Sequence, residues 1–195
     1  MKKLAVYDFD GTLVKSPTPN PGKSEWVKYY NKQYPTKGWW SKPESLDLNV
    51  FNFDPFPIVV AKIRDDYVDK DTYVLILTAR LEQLRPQVES ILKSKNIPYN
   101  KLIMNYTGDL NKGDVIMHYM EKFPDIEEID VYDDMQDKLD KLEEYTSIRN
   151  ELPDNIDYKI YYVKNGEFFL VDEFGHNKIN QLISEVIIKF LNEYL

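Results

Sequence analysis

The chain has 195 residues, enough for one compact domain and too short for two full ones. It is 43% hydrophobic and 14% aromatic, ample for a core; it has no cysteine and two histidines, so disulfides and thiolate zinc sites are excluded, and a His-rich metal site or a Ser-His-Asp triad all but excluded. A formal net charge of -8 argues against nonspecific nucleic-acid binding by the molecule as a whole.

In "MKKLAVYDFDGT" the apolar run is cut short at Asp8 and Asp10, so it does not read as a signal peptide, and no other stretch is long enough to span a bilayer. A soluble, cytoplasmic protein with no membrane partner is expected. The first strand is "KLAVYD", 3–8. Residues 15–70 then form a long insertion rich in Pro, Trp and Tyr, with helices expected over 24–33 and 57–69. Between Lys15 and Lys42 this segment sets six lysines (15, 23, 28, 32, 37, 42) against one acid, Glu25. Trp26, Tyr29, Tyr30, Tyr34, Trp39 and Trp40 interleave with them, a composition suited to stacking bases beside phosphates. Most of these aromatics are expected to build the insertion's own core, with the lysines in water and one or two rings left facing the site.

Further strands follow at "TYVLILT" (72–78), "KLIMN" (101–105) and "EIDVYD" (128–133), each ending at polar or turn residues. Helices are expected between them over 84–95, with Pro86 in the first turn, over 112–122 and over 136–148. "YKIYYVKNGEFFLVDE" reads as a hairpin turning at Asn165-Gly166, and "NKINQLISEVIIKFLNEYL" as an amphipathic helix docked on the sheet. The alternation implies an α/β fold: a Rossmann-like parallel sheet with a cap insertion after the first strand and a C-terminal hairpin plus helix. The core would comprise 1–14 and 71–195, the cap 15–70.

In such sheets active sites collect at the C-terminal strand ends. Those ends carry Asp8 and Asp10, then Thr78, then Lys112 at a helix start, then Asp133 and Asp134. At an effective dielectric of ~20 each close carboxylate pair costs on the order of 4 kcal/mol. A divalent cation relieves this, and all-oxygen ligation without His or Cys favours Mg²⁺, which also accepts substrate phosphate oxygens. Taken singly, Thr78 is a residue of any buried strand end, and acids beyond Asp134 are what a helix N-terminus favours. Arg80 either supports a phosphate or pairs with a surface acid, and His118 reads as structural.

"DFDGTL" after an apolar strand, "LILTAR", "NK" opening a helix and "VYDD" resemble, in order, the four motifs of the haloacid dehalogenase (HAD) superfamily. "TPNPGKSEW", "GWW" and the spacing to "LNKGDVI" and "IDVYDD" are similar to the HAD domains called Swiss Army Knife RNA repair-like. The resemblance implies a HAD-type phosphatase, a phosphoric monoester hydrolase. Asp8 would be the nucleophile that forms an aspartyl-phosphate; Asp10 would protonate the leaving oxygen, then activate water, and lend its backbone carbonyl to the metal. Thr78 would bind the phosphoryl oxygens with the Gly11-Thr12 turn and the Ala79 and Arg80 positions, while Lys112 neutralises charge. Asp134 would ligate Mg²⁺ directly and Asp133 support it, with Asp137 a weaker candidate. The substrate would be a phosphorylated small molecule, a nucleotide or a nucleic-acid end. Two alternatives stand beside this: an RNA- or DNA-end-processing module working with a ligase or kinase partner, and a non-catalytic phosphate-binding domain. Oligomeric state is open.

Overall fold

The computed structural model describes residues 1–105, 111–134 and 145–174. Its centre is a six-stranded sheet ordered β3-β2-β1-β4-β5-β6, built from β1 (Lys3–Asp8), β2 (Thr72–Leu81), β3 (Lys101–Asn105), β4 (Glu128–Asp133), β5 (Asp157–Lys164) and β6 (Glu167–Phe174). Neighbours pair in parallel as far as β5, and β6 returns antiparallel. The β5–β6 connection turns on Asn165 and Gly166, both at positive φ (53° and 85°), the geometry of a type I′ hairpin turn. The architecture is the expected α/β, Rossmann-like one. The chain first steps outward from β1 to β2 and β3, then crosses back to β4 on the other side of β1. That reversal leaves a crevice above the β1 and β4 ends, where ligands bind in open α/β sheets.

Helices α1 (Pro19–Tyr30), α2 (Pro57–Val68), α3 (Arg85–Ser94) and α4 (Lys112–Lys122) connect the strands. Helix α1 lies several residues earlier than the expected 24–33: prolines occupy its first turn and Asn31, left-handed at φ 51°, ends it. Strand β2 runs past Thr78 to Leu81, with a register irregularity between those residues where it pairs with β3. The expected helices over 136–148 and 177–195 lie largely or wholly outside the described residues.

Both faces of the sheet are buried, as a parallel sheet requires. Leu4 and Val6 of β1 face one apolar cluster with Ile116 and Tyr119 of α4; Ala5 and Tyr7 face the other. That second cluster also takes in Trp39, Leu46, Phe51, Phe53 and Phe56 of the insertion and Val59, Val60 and Ile63 of α2. Residues 15–70 therefore share a core with the sheet. Each fully buried aliphatic side chain there contributes on the order of 1.5–3 kcal/mol. Trp26 packs on Tyr30 and Tyr34, Tyr34 on Trp39, and Trp39 on Phe51, so most insertion aromatics are used on one another.

Beneath the crevice, Tyr7, Tyr132 and Tyr161 stack face to face across β1, β4 and β5 with ring centroids 4.6 and 4.7 Å apart. The Tyr7 hydroxyl donates to Asp66 Oδ2 of α2 at 2.5 Å, and Lys62 reaches Asp66 Oδ1, tying that helix to the ladder. Among the described residues no helix is long and apolar enough to cross a membrane.

Candidate active site

Strand β1 delivers Asp8, β4 ends on Asp133 with Asp134 directly after it, and the N-terminus of α4 delivers Lys112. The last placement comes from Asn111, whose Oδ1 accepts from the amides of Gly113 at 2.8 Å and Asp114 at 3.3 Å. Capping fixes where the helix starts and so aims Lys112 into the crevice. Lys112 Nζ donates to Asp8 Oδ1 at 2.7 Å and to Asp133 Oδ2 at 2.5 Å. The Tyr145 hydroxyl donates to the same Asp133 oxygen at 2.7 Å. Asp133 Oδ2 thus carries two donors, one a cation.

Burial opposes the charge on Lys112, but Asp133 and Asp8 outweigh it and hold the ammonium above its ordinary value. Burial pushes the Asp8 carboxyl up to about 8; Lys112 opposes that, while Asp133, Asp134 and Asp10 add to it. Tyr145 is held neutral first by its burial and then by the adjacent Asp133.

Asp8, Asp133 and Asp134 each offer a carboxylate oxygen, all within 4.8 Å of one another. The set is hard, anionic and all oxygen, which fits Mg²⁺ and not a thiophilic or imidazole-bound metal. Gly11 makes room for Asp134: at φ +78° it lies in left-handed space, and a Cβ there would sit 2.1 Å from Asp134 Oδ2.

Asp10 stands apart from this triad. Its two oxygens accept from Arg80, Oδ2 from Nε at 2.8 Å and Oδ1 from Nη2 at 2.9 Å, in a bidentate fork. Arg80 is only 2% exposed. Its remaining nitrogen, Nη1, donates to the Trp40 carbonyl at 2.8 Å and to Ser45 Oγ at 2.5 Å, and its guanidinium packs 4.7 Å from the centre of the Trp40 ring. Arg80 is thus paired with an acid, though with Asp10 in the cavity wall and not with a surface acid. Thr78 is buried, its Oγ1 accepting from the Arg80 amide at 3.2 Å. The Gly11 amide is engaged by the Val14 carbonyl at 2.9 Å, and Thr12 is fully buried, its hydroxyl with no partner among the described residues.

A cavity of about 270 Å³ opens over these groups, lined by Asp8, Asp10, Trp40, Thr78, Ala79, Arg80 and Asp134. Lys112 and Asp133 lie beneath it rather than in its wall. A larger hollow of about 490 Å³ between Trp26, Tyr30, Glu44 and Gln87 lacks the lysine-bridged carboxylates, so chemistry rather than size selects the first. Asp137 lies outside the described residues. His118 is exposed on α4, edge-on to Tyr119, away from the acids. Tyr145 and Ser45 were not foreseeable: "EEY" and "PESL" carry no sequence mark of what their hydroxyls bond.

The sequence profile of HAD domain family 1 in Swiss Army Knife RNA repair proteins matches residues 16–186, most of the chain. The chain belongs to this HAD domain family. An uncharacterized protein of Saccharomyces cerevisiae is similar, 23% identical over 175 residues that cover 73% of this chain and 36% of that protein. The chain thus spans about a third of that relative's length. Among solved structures, the Legionella pneumophila effector Ceg4 superposes with a TM-score of 0.55 at 17% identity, covering 86% of this chain and 88% of that one. A chain of the Pnkp1/Rnl/Hen1 RNA repair complex gives 0.48 at 18% identity over 83% of this HAD domain and 42% of its own length. At 17% identity the likeness to Ceg4 speaks to the fold alone.

Proposed function

We propose that this HAD domain is a Mg²⁺-dependent phosphohydrolase that cleaves a phosphate monoester through an aspartyl-phosphate on Asp8. The observation that carries the reading is the junction of Asp8, Lys112, Asp133 and Asp134: a nucleophile at a strand end, a buried ammonium on it, and carboxylate oxygens within 4.8 Å. Asp8 and Asp134 would hold the cation, with the Asp10 carbonyl as a third candidate. Asp133, whose Oδ2 already takes Lys112 and Tyr145, fits the supporting position. When bound, Mg²⁺ supplies charge neutralisation between the attacking carboxylate and the phosphate.

The chain's own residues do the rest. Asp8 attacks phosphorus in line, a P–O bond forms on its carboxylate, and the ester P–O bond breaks. Lys112 offsets the charge on Asp8 as the phosphoryl group arrives. The Thr78 hydroxyl has a proton to donate to a phosphoryl oxygen. Asp10 transfers a proton to the leaving oxygen and takes one back from the water that splits the intermediate. Each Asp10 oxygen accepts one Arg80 N–H and keeps a second lone pair for that proton. Residues 15–70, the proposed cap, would set specificity, and their local positive charge favours a nucleotide or nucleic-acid end.

Hydrolysis of an aryl phosphate tests the core of this. Turnover should require Mg²⁺ and vanish in Asp8→Asn; a fully active Asp8→Asn protein removes the proposed nucleophile, and a folded protein inert with every divalent cation favours the non-catalytic alternative. A nucleic-acid end is supported if phosphorylated oligonucleotides outperform sugar phosphates and lose affinity with added salt.

A further inference from the structure

Trp40 is an unusual residue to find beside the candidate acids: it is 44% exposed, yet Arg80 holds it at two points, the carbonyl and the ring. Arg80 grips its carbonyl at 2.8 Å, stacks against its ring at 4.7 Å, and is itself bound to Asp10 and Ser45. Arg80 is almost wholly buried while Trp40 is not, so the guanidinium packs on the inner side of the indole and part of the ring stays open to solvent. Trp39, its neighbour, is buried among the insertion aromatics, so the two rings of "GWW" have separate employments. An exposed tryptophan with a fixed backbone, lining the cavity of Asp8, Asp10 and Thr78, presents a flat apolar surface to whatever is attached to the phosphate.

We infer that Trp40 is a stacking platform for the terminal nucleobase of a phosphorylated nucleic-acid strand, and so a specificity-determining residue. This rests on the phosphatase reading of the site and narrows its substrate class. Stacking on an indole tolerates every base, since each has a π-face. The cation beneath the ring restricts its motion, so little order is lost when a base settles on top. The charge of the same loop separates a strand from other aromatic phosphate esters. Lys37 and Lys42 flank Trp40 in the chain. Lys37 is exposed and Lys42 partly so, so the loop that carries the ring also carries cations open to the further phosphates of a polynucleotide. An aryl phosphate such as phosphotyrosine has a ring to stack but no second phosphate for these lysines.

The test compares intact protein with Trp40→Ala and Trp40→Phe. For each, kcat/KM is measured on a 3′- or 5′-phosphorylated hexanucleotide, a phosphotyrosine peptide and glycerol phosphate. The inference expects the oligonucleotide-to-glycerol-phosphate ratio to fall about tenfold or more in Trp40→Ala, the order of one base–aromatic stack, and to recover largely in Trp40→Phe. An unchanged ratio overturns it, as does a larger loss on the phosphotyrosine peptide than on the hexanucleotide. A second measurement needs no turnover: in EDTA, titrating the hexanucleotide should quench tryptophan emission, with most of the quench absent in Trp40→Phe. Equal quenching in the two proteins overturns the platform. If no phosphate ester is hydrolysed but the quench is present and Trp40-dependent, the phosphatase reading fails while the stacking site stands.

Discussion

Lys112→Met isolates the electrostatic junction. Lys112 is 4% exposed and bonds Asp8 at 2.7 Å and Asp133 at 2.5 Å, and both acids are themselves buried. Methionine keeps the volume and removes the only charge of opposite sign that these contacts supply. Deleting one partner of a buried pair costs about 3–5 kcal/mol, because the remaining charge stays out of water. For a chain of this size about 2–4 °C of Tm accompanies each kcal/mol, so the variant should melt about 6–20 °C lower in EDTA at pH 8, read by circular dichroism. Two controls follow from the same reasoning. Acidifying the buffer should narrow the gap, since a protonated Asp8 no longer needs the ammonium. Mg²⁺ should narrow it too, by replacing part of the missing positive charge. A Lys112→Met protein melting within about 2 °C of the parent in EDTA would refute the argument, because it would mean the acids are hydrated without help.

Asp8→Asn addresses pH. Burial, above all, pushes the folded Asp8 carboxyl up to about 8 from an ordinary 3.8, so the stability its neutral form contributes is complete below the ordinary value and lost as pH climbs through the folded one. In EDTA, the Tm of Asp8→Asn relative to the parent should therefore rise between about pH 4 and 8; a flat difference contradicts the shift. Arg80→Lys should behave as a non-conservative change: a single ammonium cannot reproduce the fork on Asp10 together with the bonds to Trp40 and Ser45. We expect kcat on an aryl phosphate to drop by at least tenfold with a Tm loss of several degrees; retention of parental kcat argues that Asp10 needs no such restraint. Gly11→Ala forces a Cβ to 2.1 Å from Asp134 Oδ2 at a φ of +78°, so Mg²⁺ affinity by titration calorimetry should fall at least tenfold. Unchanged affinity would show that Asp134 is not a ligand.

The sheet was readable from the sequence because its strands are short apolar runs bounded by polar residues. β1, β3 and β4 occupy 3–8, 101–105 and 128–133, the ranges their apolar runs mark, and the hairpin turns at Asn165-Gly166 because only such residues accept two successive positive φ values. Which acids, hydroxyl and amine would arrive at one edge followed from that order. What did not follow was pairing among them. Arg80 looked like a phosphate ligand or the partner of a surface acid; only the fold brings Asp10, Trp40 and Ser45 around it, across 70, 40 and 35 residues of sequence. Nor could the sequence show that Gly11's amide is engaged by Val14, because loop hydrogen bonds leave no periodic trace. Helix α1 began earlier than its periodicity suggested, since prolines at its start are tolerated rather than disruptive in a first turn.

The tyrosine ladder below the crevice has a bearing on what lies above it. Register pairs Tyr7 with Tyr132, and the next residue on each strand, on the opposite face, is Asp8 or Asp133. Sliding one strand by a single step would unstack the rings and turn a carboxylate into the apolar interior, so misalignment is penalised twice over. Three phenol rings on one face of the sheet thus act as a spirit level for two acids on the other.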